Sequence, residues 1–212
     1  MADIPERTKE RLLQLMRLFE KKTFAGDTAP VTSAQVEQLT GWSRDTIRKD
    51  ISCLEKKVTV TVGSNAGYRP ELLIPLIKKA LGLDRRWKFC VVGLGRLGSA
   101  YLNFSPPELA EFELTAGFDS NVNRVEILRS QAPLYPAYKL NEVVSRFAIE
   151  IALLCVPSDA AQAAAEKCAA AGIRGILNFA PVALSLPPEL AVRNVCLADE
   201  LRSLAITIRN EN

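Results

Sequence analysis

The chain has 212 residues, 48% hydrophobic and 24% charged, which fits one large domain or two small ones around a buried core. No apolar run reaches the roughly 20 residues that span a bilayer, and the charged start MADIPERTKERLL lacks a signal-peptide core, so no membrane attachment and a cytoplasmic location are expected. Five scattered cysteines (Cys53, Cys90, Cys155, Cys168, Cys196) without a CxxC pair, and no histidine, argue against a metal site and a disulfide framework.

The net charge of +3 is unevenly spread. Residues 1–80 hold 14 Lys and Arg against 10 Asp and Glu, whereas residues 81–212 hold 13 against 14. A basic front on a near-neutral body is compatible with a nucleic-acid-binding module.

In chain order, Pro5 opens a helix with Leu12, Leu13, Met16 and Phe19 at helical spacing, ending near Gly26. Thr32-Ser33 caps a short second helix, AQVEQLT, which Gly41 stops. Ser43 caps a third, RDTIRKDISCLEK, with Ile47, Ile51 and Leu54 on one face. Val58, Val60 and Val62 then alternate with threonines, the period of a half-exposed strand, and GSNAG supplies a hairpin turn. Residues 70–81 return to helix.

From Trp87 strands and helices alternate. WKFCVVG reads as a strand, RLGSAYLNF as a helix and FELTAGFD as a second strand, followed by a polar SNVNR segment. AIEIALLCVP is a third strand backed by the helix SDAAQAAAEKCAAAG; IRGILNFAP is a fourth and AVRNVCL a fifth. Apolar strands alternating with helices imply a parallel sheet covered on both faces. LADELRSLAITIR is a final amphipathic helix. The expected fold is therefore α/β: an N-terminal winged helix-turn-helix domain (1–82), a Rossmann-like NAD-binding domain (83–195) and a C-terminal dimerisation helix (196–212).

Gly93-Leu94-Gly95-Arg96-Leu97-Gly98 is GxGxxG between a strand and a helix. The first glycine permits the turn, the second lets a pyrophosphate approach the backbone, and the third lets the helix pack closely on the strand. Asp119 ends the next strand, 24 residues after Gly95, where an acid can accept from ribose hydroxyls. That acid favours NAD(H), although Arg124 lies close by in sequence. In the front domain, Arg44, Thr46, Arg48 and Lys49 lie on the outward face of the third helix. There arginine can read guanine bidentately while lysine and threonine hold phosphates.

The two units in this order, with RKDI, LGLDRRW, GLGRLGSA, AGFD, IALLCVP and ILNFAP, resemble the Rex family of redox-sensing transcriptional repressors. The resemblance implies a homodimer formed by swapping the C-terminal helix, binding to a palindromic double-stranded operator, and release of DNA on NADH binding. It implies cofactor contacts at Gly93, Gly95, Gly98, Asp119, Val156, Pro157, Asn178, Phe179, Ala180 and Pro181. It also implies an inter-subunit switch network. The family carries a tyrosine where this chain has Phe104 and an aspartate where it has Cys196; its arginine partner matches Arg11. The wing lacks its usual arginine at the tip and keeps Arg69 beyond the turn.

An oxidoreductase is the alternative, but hydride transfer needs a proton donor or acceptor, and histidine is absent. Tyr135 and Lys139 spell the YxxxK of short-chain dehydrogenases, yet they lie beside two prolines in an expected loop. A thiol-based regulator using Cys53 or Cys196 is a third reading. A fourth is a Rex-like regulator that binds NAD⁺ and NADH alike, motivated by Phe104 and Cys196.

Overall fold

The structure is a computed structural model that describes residues 4–60, 63–64, 67–104 and 106–210. The chain divides into two compact units, Met1–Arg85 and Arg86–Asn212.

The first unit contains helices α1 (Glu6–Phe24), α2 (Ser33–Thr40), α3 (Arg44–Val58) and α4 (Pro70–Leu81), and a two-stranded antiparallel hairpin, β1 (Gly63–Ser64) and β2 (Gly67–Tyr68). Its core is an apolar stripe from each helix: Leu12, Leu15 and Phe19 of α1, Val36 of α2, Ile47, Ile51 and Leu54 of α3, and Leu73 and Ile77 of α4. A capping box opens α2: the Gln35 N–H donates to Thr32 Oγ1, and the Thr32 N–H donates to Gln35 Oε1 at 2.8 Å. Ser43 caps α3 by accepting from the Thr46 N–H. Val31, just before α2, bridges Tyr68 through two main-chain hydrogen bonds of 2.8 Å. That isolated bridge ties the two-stranded hairpin to the helices, the arrangement of a winged helix.

The valine alternation misleads at one point. Val58 belongs to α3, because it continues the Ile47–Ile51–Leu54 stripe and packs on the same core. Thr59 ends the helix with a left-handed backbone, and Val60 is exposed. Thr61, Val62, Asn65 and Ala66, which the expected strand and turn include, lie outside the described residues.

The second unit is a six-stranded parallel sheet, order β5-β4-β3-β6-β7-β8, formed by β3 (Trp87–Val92), β4 (Phe112–Asp119), β5 (Leu134–Pro136), β6 (Ile151–Leu154), β7 (Gly175–Asn178) and β8 (Ala191–Asn194). The helices are α5 (Arg96–Tyr101), α6 (Val122–Ile127), α7 (Leu140–Phe147), α8 (Ser158–Ala170) and α9 (Leu197–Asn210). Strand parity sorts the core into two layers. Cys90, Val92, Ala116, Phe118, Ala152 and Leu154 face α7 and α8. Phe89, Val91, Leu114, Ile151 and Leu153 face the other side with Leu94 and Leu102.

Several sequence expectations need correction. The sheet has a sixth strand, β5, whose three residues include a proline that only an edge strand tolerates. The polar segment after Asp119 forms α6, capped by Asn121. Helix α7, with Leu140, Val143 and Val144 buried at i, i+3 and i+4, lies between the expected loop and the expected strand, in a segment where no element was expected. Ala148 ends α7 in the left-handed region, so β6 begins only at Ile151. Helix α5 stops at Tyr101 rather than Phe104.

Candidate functional site

The strand order reverses between β3 and β6, and in open α/β sheets ligands bind beyond the carboxyl ends of the strands at that point. Two loops meet there. Gly93 leaves β3 with φ +91°, and a Cβ on it would lie 2.7 Å from the Cys155 carbonyl oxygen and from Val156 Cγ1 of the loop after β6. A Cβ on Gly98 would collide with the Gly93 carbonyl oxygen. Gly95 differs: nothing lies within 4 Å of where its Cβ would be. Two glycines therefore close the loop on its neighbours, and the middle one leaves open space above its backbone.

That space is part of a cavity of about 690 Å³, within the range of small-molecule sites. The cavity is lined by Gly93, Gly95 and Leu97 of the glycine loop and α5, by Val156, Pro157 and Phe179, and by Asp119, Ser120, Arg124, Ala137, Leu140 and Lys167. Ala160, Ala163 and Ala164 of α8 also line it with small side chains.

Asp119 is buried, 4% exposed. Its Oδ2 accepts from the Leu94 N–H at 2.7 Å and its Oδ1 from the Asn121 N–H at 2.7 Å; Arg124 Nη1 lies 3.4 Å from Oδ2. The acid thus clamps the glycine loop to the end of β4. Arg124, 53% exposed, partly offsets its charge. Burial pushes the Cys155 thiol on the cavity wall up to about 11, so it is neutral at physiological pH.

Not every expected cofactor residue reaches the cavity. The Leu94 side chain is buried with Phe89, Val91 and Leu102, and its N–H is taken by Asp119. Arg96, Gly98, Asn178, Ala180 and Pro181 do not line the wall. Asn178 is fully buried and organises its loop: Nδ2 donates to the Val182 carbonyl and to Asn194 Oδ1, and Oδ1 accepts from the Ala180 N–H. Conversely, Ser120, Ala137, Leu140, Cys155 and the α8 alanines with Lys167 line the cavity without a motif to announce them, and Arg124, already noted beside Asp119, lines it too.

In the first unit, Arg44, Arg48 and Lys49 are exposed on α3. Arg44 Nε donates to Glu37 Oε2 at 2.7 Å, and Arg48 Nη1 lies 3.9 Å from Asp45. The Thr46 hydroxyl is hydrogen-bonded to Ser43 Oγ. Arg69 is exposed at the start of α4. Asp50, between Lys49 and Ile51, turns inward: 6% exposed, it accepts from Arg11 Nε at 2.5 Å, Arg11 Nη2 at 2.8 Å and Thr8 Oγ1 at 3.0 Å. Here Arg11 holds α1 against α3.

Phe104 is 55% exposed and meets Tyr101 edge-on, ring centroids 6.1 Å apart. Cys196 is half-buried just ahead of α9. Tyr135 lies in β5 with its ring 5.9 Å from Phe118, and Lys139 follows on a 3₁₀ turn, so YxxxK occupies no single helix. Among the described residues no cluster of His, Cys, Asp and Glu could hold a metal ion, and no helix is long and apolar enough to cross a membrane.

Residues 84–182 match the family described as CoA binding domain. Coenzyme A and the nicotinamide dinucleotides share an adenosine and a pyrophosphate, the parts a glycine loop holds. Over its whole length the chain is similar to the redox-sensing transcriptional repressor Rex of Thermus thermophilus: 38% identical over 209 residues, 98% of this chain and 95% of the relative. The chain belongs to the Rex family. Rex of Levilactobacillus brevis is 33% identical over 210 residues, 99% of this chain and 96% of the relative. The crystal structure of RSP in complex with β-NAD⁺ and operator DNA matches with a TM-score of 0.86 and 27% identity, covering 100% of this chain and 95% of that one. RSP in complex with β-NADH matches with a TM-score of 0.83 and 27% identity, covering 100% and 97%. These Rex relatives are named as repressors, not enzymes, and the two-unit architecture agrees with a winged helix followed by a Rossmann-like domain.

Proposed function

We propose that this Rex-family chain is an NAD(H)-responsive transcriptional repressor that binds an inverted-repeat operator as a homodimer and carries out no catalysis. The observation that carries the reading is the cavity at the β3/β6 switch point, closed by Gly93 and Gly98 and open above Gly95, on a chain that also folds a winged helix. The complexes of RSP with NAD⁺ and operator DNA, and with NADH, support it.

The residues present fit a dinucleotide. The space above Gly95 admits a pyrophosphate to the backbone. A carboxylate has about four acceptor positions, so Asp119 keeps one for a ribose hydroxyl beside its two loop amides and Arg124. The cavity volume of about 690 Å³ and its apolar lining by Leu140 and the alanines of α8 suit an adenine. Bound there, the cofactor supplies a redox-dependent signal; the protein's part is to hold it and to prefer one domain arrangement when it is held. A ligand that bound both arrangements equally would shift nothing.

The exposed apolar stripe of α9 supports the homodimer. Leu197, Leu201, Leu204 and Ile208 recur at i, i+4, i+7 and i+11, and each is more than half exposed. An amphipathic helix with its apolar stripe in water needs a covering surface, and a second copy supplies it symmetrically. Two copies place two recognition helices about 34–36 Å apart, one turn of DNA, so that an inverted repeat matches the protein's two-fold axis. Arg44, Thr46, Arg48, Lys49 and Arg69 are the DNA-facing residues of this reading. The work of a bacterial repressor lies beside the chromosome, in the cytoplasm.

Within the same class, Phe104 and Cys196 favour a variant in which the cofactor is bound but NAD⁺ and NADH are little distinguished, since neither side chain supplies the phenol or carboxylate found there in the family. Calorimetric titration of each cofactor into the full-length protein tests both halves. Saturable binding supports the repressor reading, and its absence overturns the cofactor assignment.

A further inference from the structure

The recognition helix α3 begins with a residue held from two directions. Glu37 of α2 accepts from Arg44 Nε through Oε2 at 2.7 Å and from the Arg44 backbone N–H through Oε1 at 3.3 Å. The pairing lowers the Glu37 carboxyl below its ordinary value, chiefly through the Arg44 side-chain hydrogen bond. Both side chains face solvent, at 57% and 37% exposure, so the pair contributes little to stability. Its value is directional. With the main chain and Nε fixed, the guanidinium plane is set, and the two terminal nitrogens remain on the edge pointing away from Glu37. Those are the donors that guanine O6 and N7 accept bidentately.

The other cations of α3 are held differently. Arg48 lies 3.9 Å from Asp45 on its own helix, a looser contact, and Lys49 is an exposed point charge. A phosphate contact gains from net positive charge, which Glu37 cancels at Arg44. A base contact needs a fixed direction, which Glu37 supplies. Arg44 is also the first residue of α3, and the N-terminal end of a recognition helix is the part that meets base edges.

We propose that Glu37 is a positioning residue that aims Arg44 at a guanine in each operator half-site, making the Glu37–Arg44 pair a specificity determinant. This rests on the DNA-binding reading above.

The test selects an operator from randomised inverted repeats with the full-length protein, then measures affinity at fixed salt for duplexes with one base pair changed per half-site. Wild type is expected to lose about tenfold or more when one particular guanine is replaced, as for a bidentate arginine contact. Arg44→Ala and Glu37→Ala should both flatten the preference at that position to within about threefold, and the double variant should go no further. Glu37→Gln, which keeps the acceptor oxygen and the shape, should retain part of the preference; thermal unfolding of each variant checks that the domain is intact. A uniform gain in affinity for every duplex on Glu37→Ala, the signature of removing an acid near phosphates, overturns the proposal. So does a uniform loss on Arg44→Ala. If wild type selects no operator at all, the DNA-binding reading itself has failed, which is distinguishable because no sequence preference then exists for either variant to lose.

Discussion

The ring of Tyr101 lies 5.3 Å from that of Phe179 on the cofactor cavity wall, and its other side meets Phe104 edge-on at 6.1 Å. A chain of three aromatic rings, with one tilted and one edge-on contact, thus links the cavity to the position that the resemblance assigns to a phenol. Phe104 can transmit packing but cannot offer a hydrogen bond. NAD⁺ and NADH are therefore expected to bind with affinities within about tenfold, or roughly 1.4 kcal/mol. The double substitution Phe104→Tyr with Cys196→Asp should widen that ratio. Calorimetry on both proteins checks it; a hundredfold preference for NADH in wild type would contradict it.

The glycine loop makes a contrasting pair of predictions. Gly95→Ala places a methyl group in the open space, so the fold should keep its stability within about 0.5 kcal/mol while NADH affinity falls about tenfold or more. Gly98→Ala drives a methyl into the Gly93 carbonyl and should destabilise the domain by about 1–3 kcal/mol, as overpacking does. Denaturant unfolding and NADH titration of both variants separate the roles.

Arg11 and Asp50 tie α1 to α3 from the inside. Arg11→Ala leaves the Asp50 carboxylate buried without its cation, which should cost about 3 kcal/mol. That is the low end for a buried pair, because Arg11 keeps 27% of its side chain in water. The loss is read from denaturant unfolding of the first unit, using a probe such as Trp42; a change below about 1 kcal/mol would show the pair to be incidental.

Alkaline pH should weaken the second unit. Burial raises the Cys155 thiol to about 11 and Cys168 to about 12, and pushes Cys90 up as well. Above the ordinary thiol value of 9 the unfolded chain gives up these protons while the folded chain keeps them, so the unfolded state binds fewer protons. Stability is accordingly unaffected below pH 9 and falls as pH rises from there towards 12. Cys168→Ala should flatten that decline in unfolding experiments; an unchanged slope would contradict the assignment.

Legibility varied with the kind of signal. The glycine loop, the α3 stripe and Asp119 could be read because each couples a residue type to a fixed spacing. Val58 misled because alternating valines fit a strand locally, whereas burial beside Leu54 draws Val58 into the helix. Strand β5 was hidden by its length and its prolines. Helix α7 did show the spacing of Leu140, Val143 and Val144, but the prolines just before it suggested a loop. At the site, Lys167 and the α8 alanines were silent because lining a cavity needs only position, whereas Arg124 could be noticed through its closeness to Asp119. Asn178 and Leu94 were motif members whose work is internal.

The most direct test of the central claim is binding of the full-length protein to an inverted-repeat duplex at fixed salt, titrated with NADH and NAD⁺. Dimeric binding at least about a thousandfold tighter than to scrambled DNA is expected, with a cofactor-dependent change in that affinity. Lys49→Ala should also weaken binding to all duplexes and lower the salt slope by about one. Equal binding to scrambled DNA, or an operator affinity that neither cofactor alters at saturation, would contradict the claim.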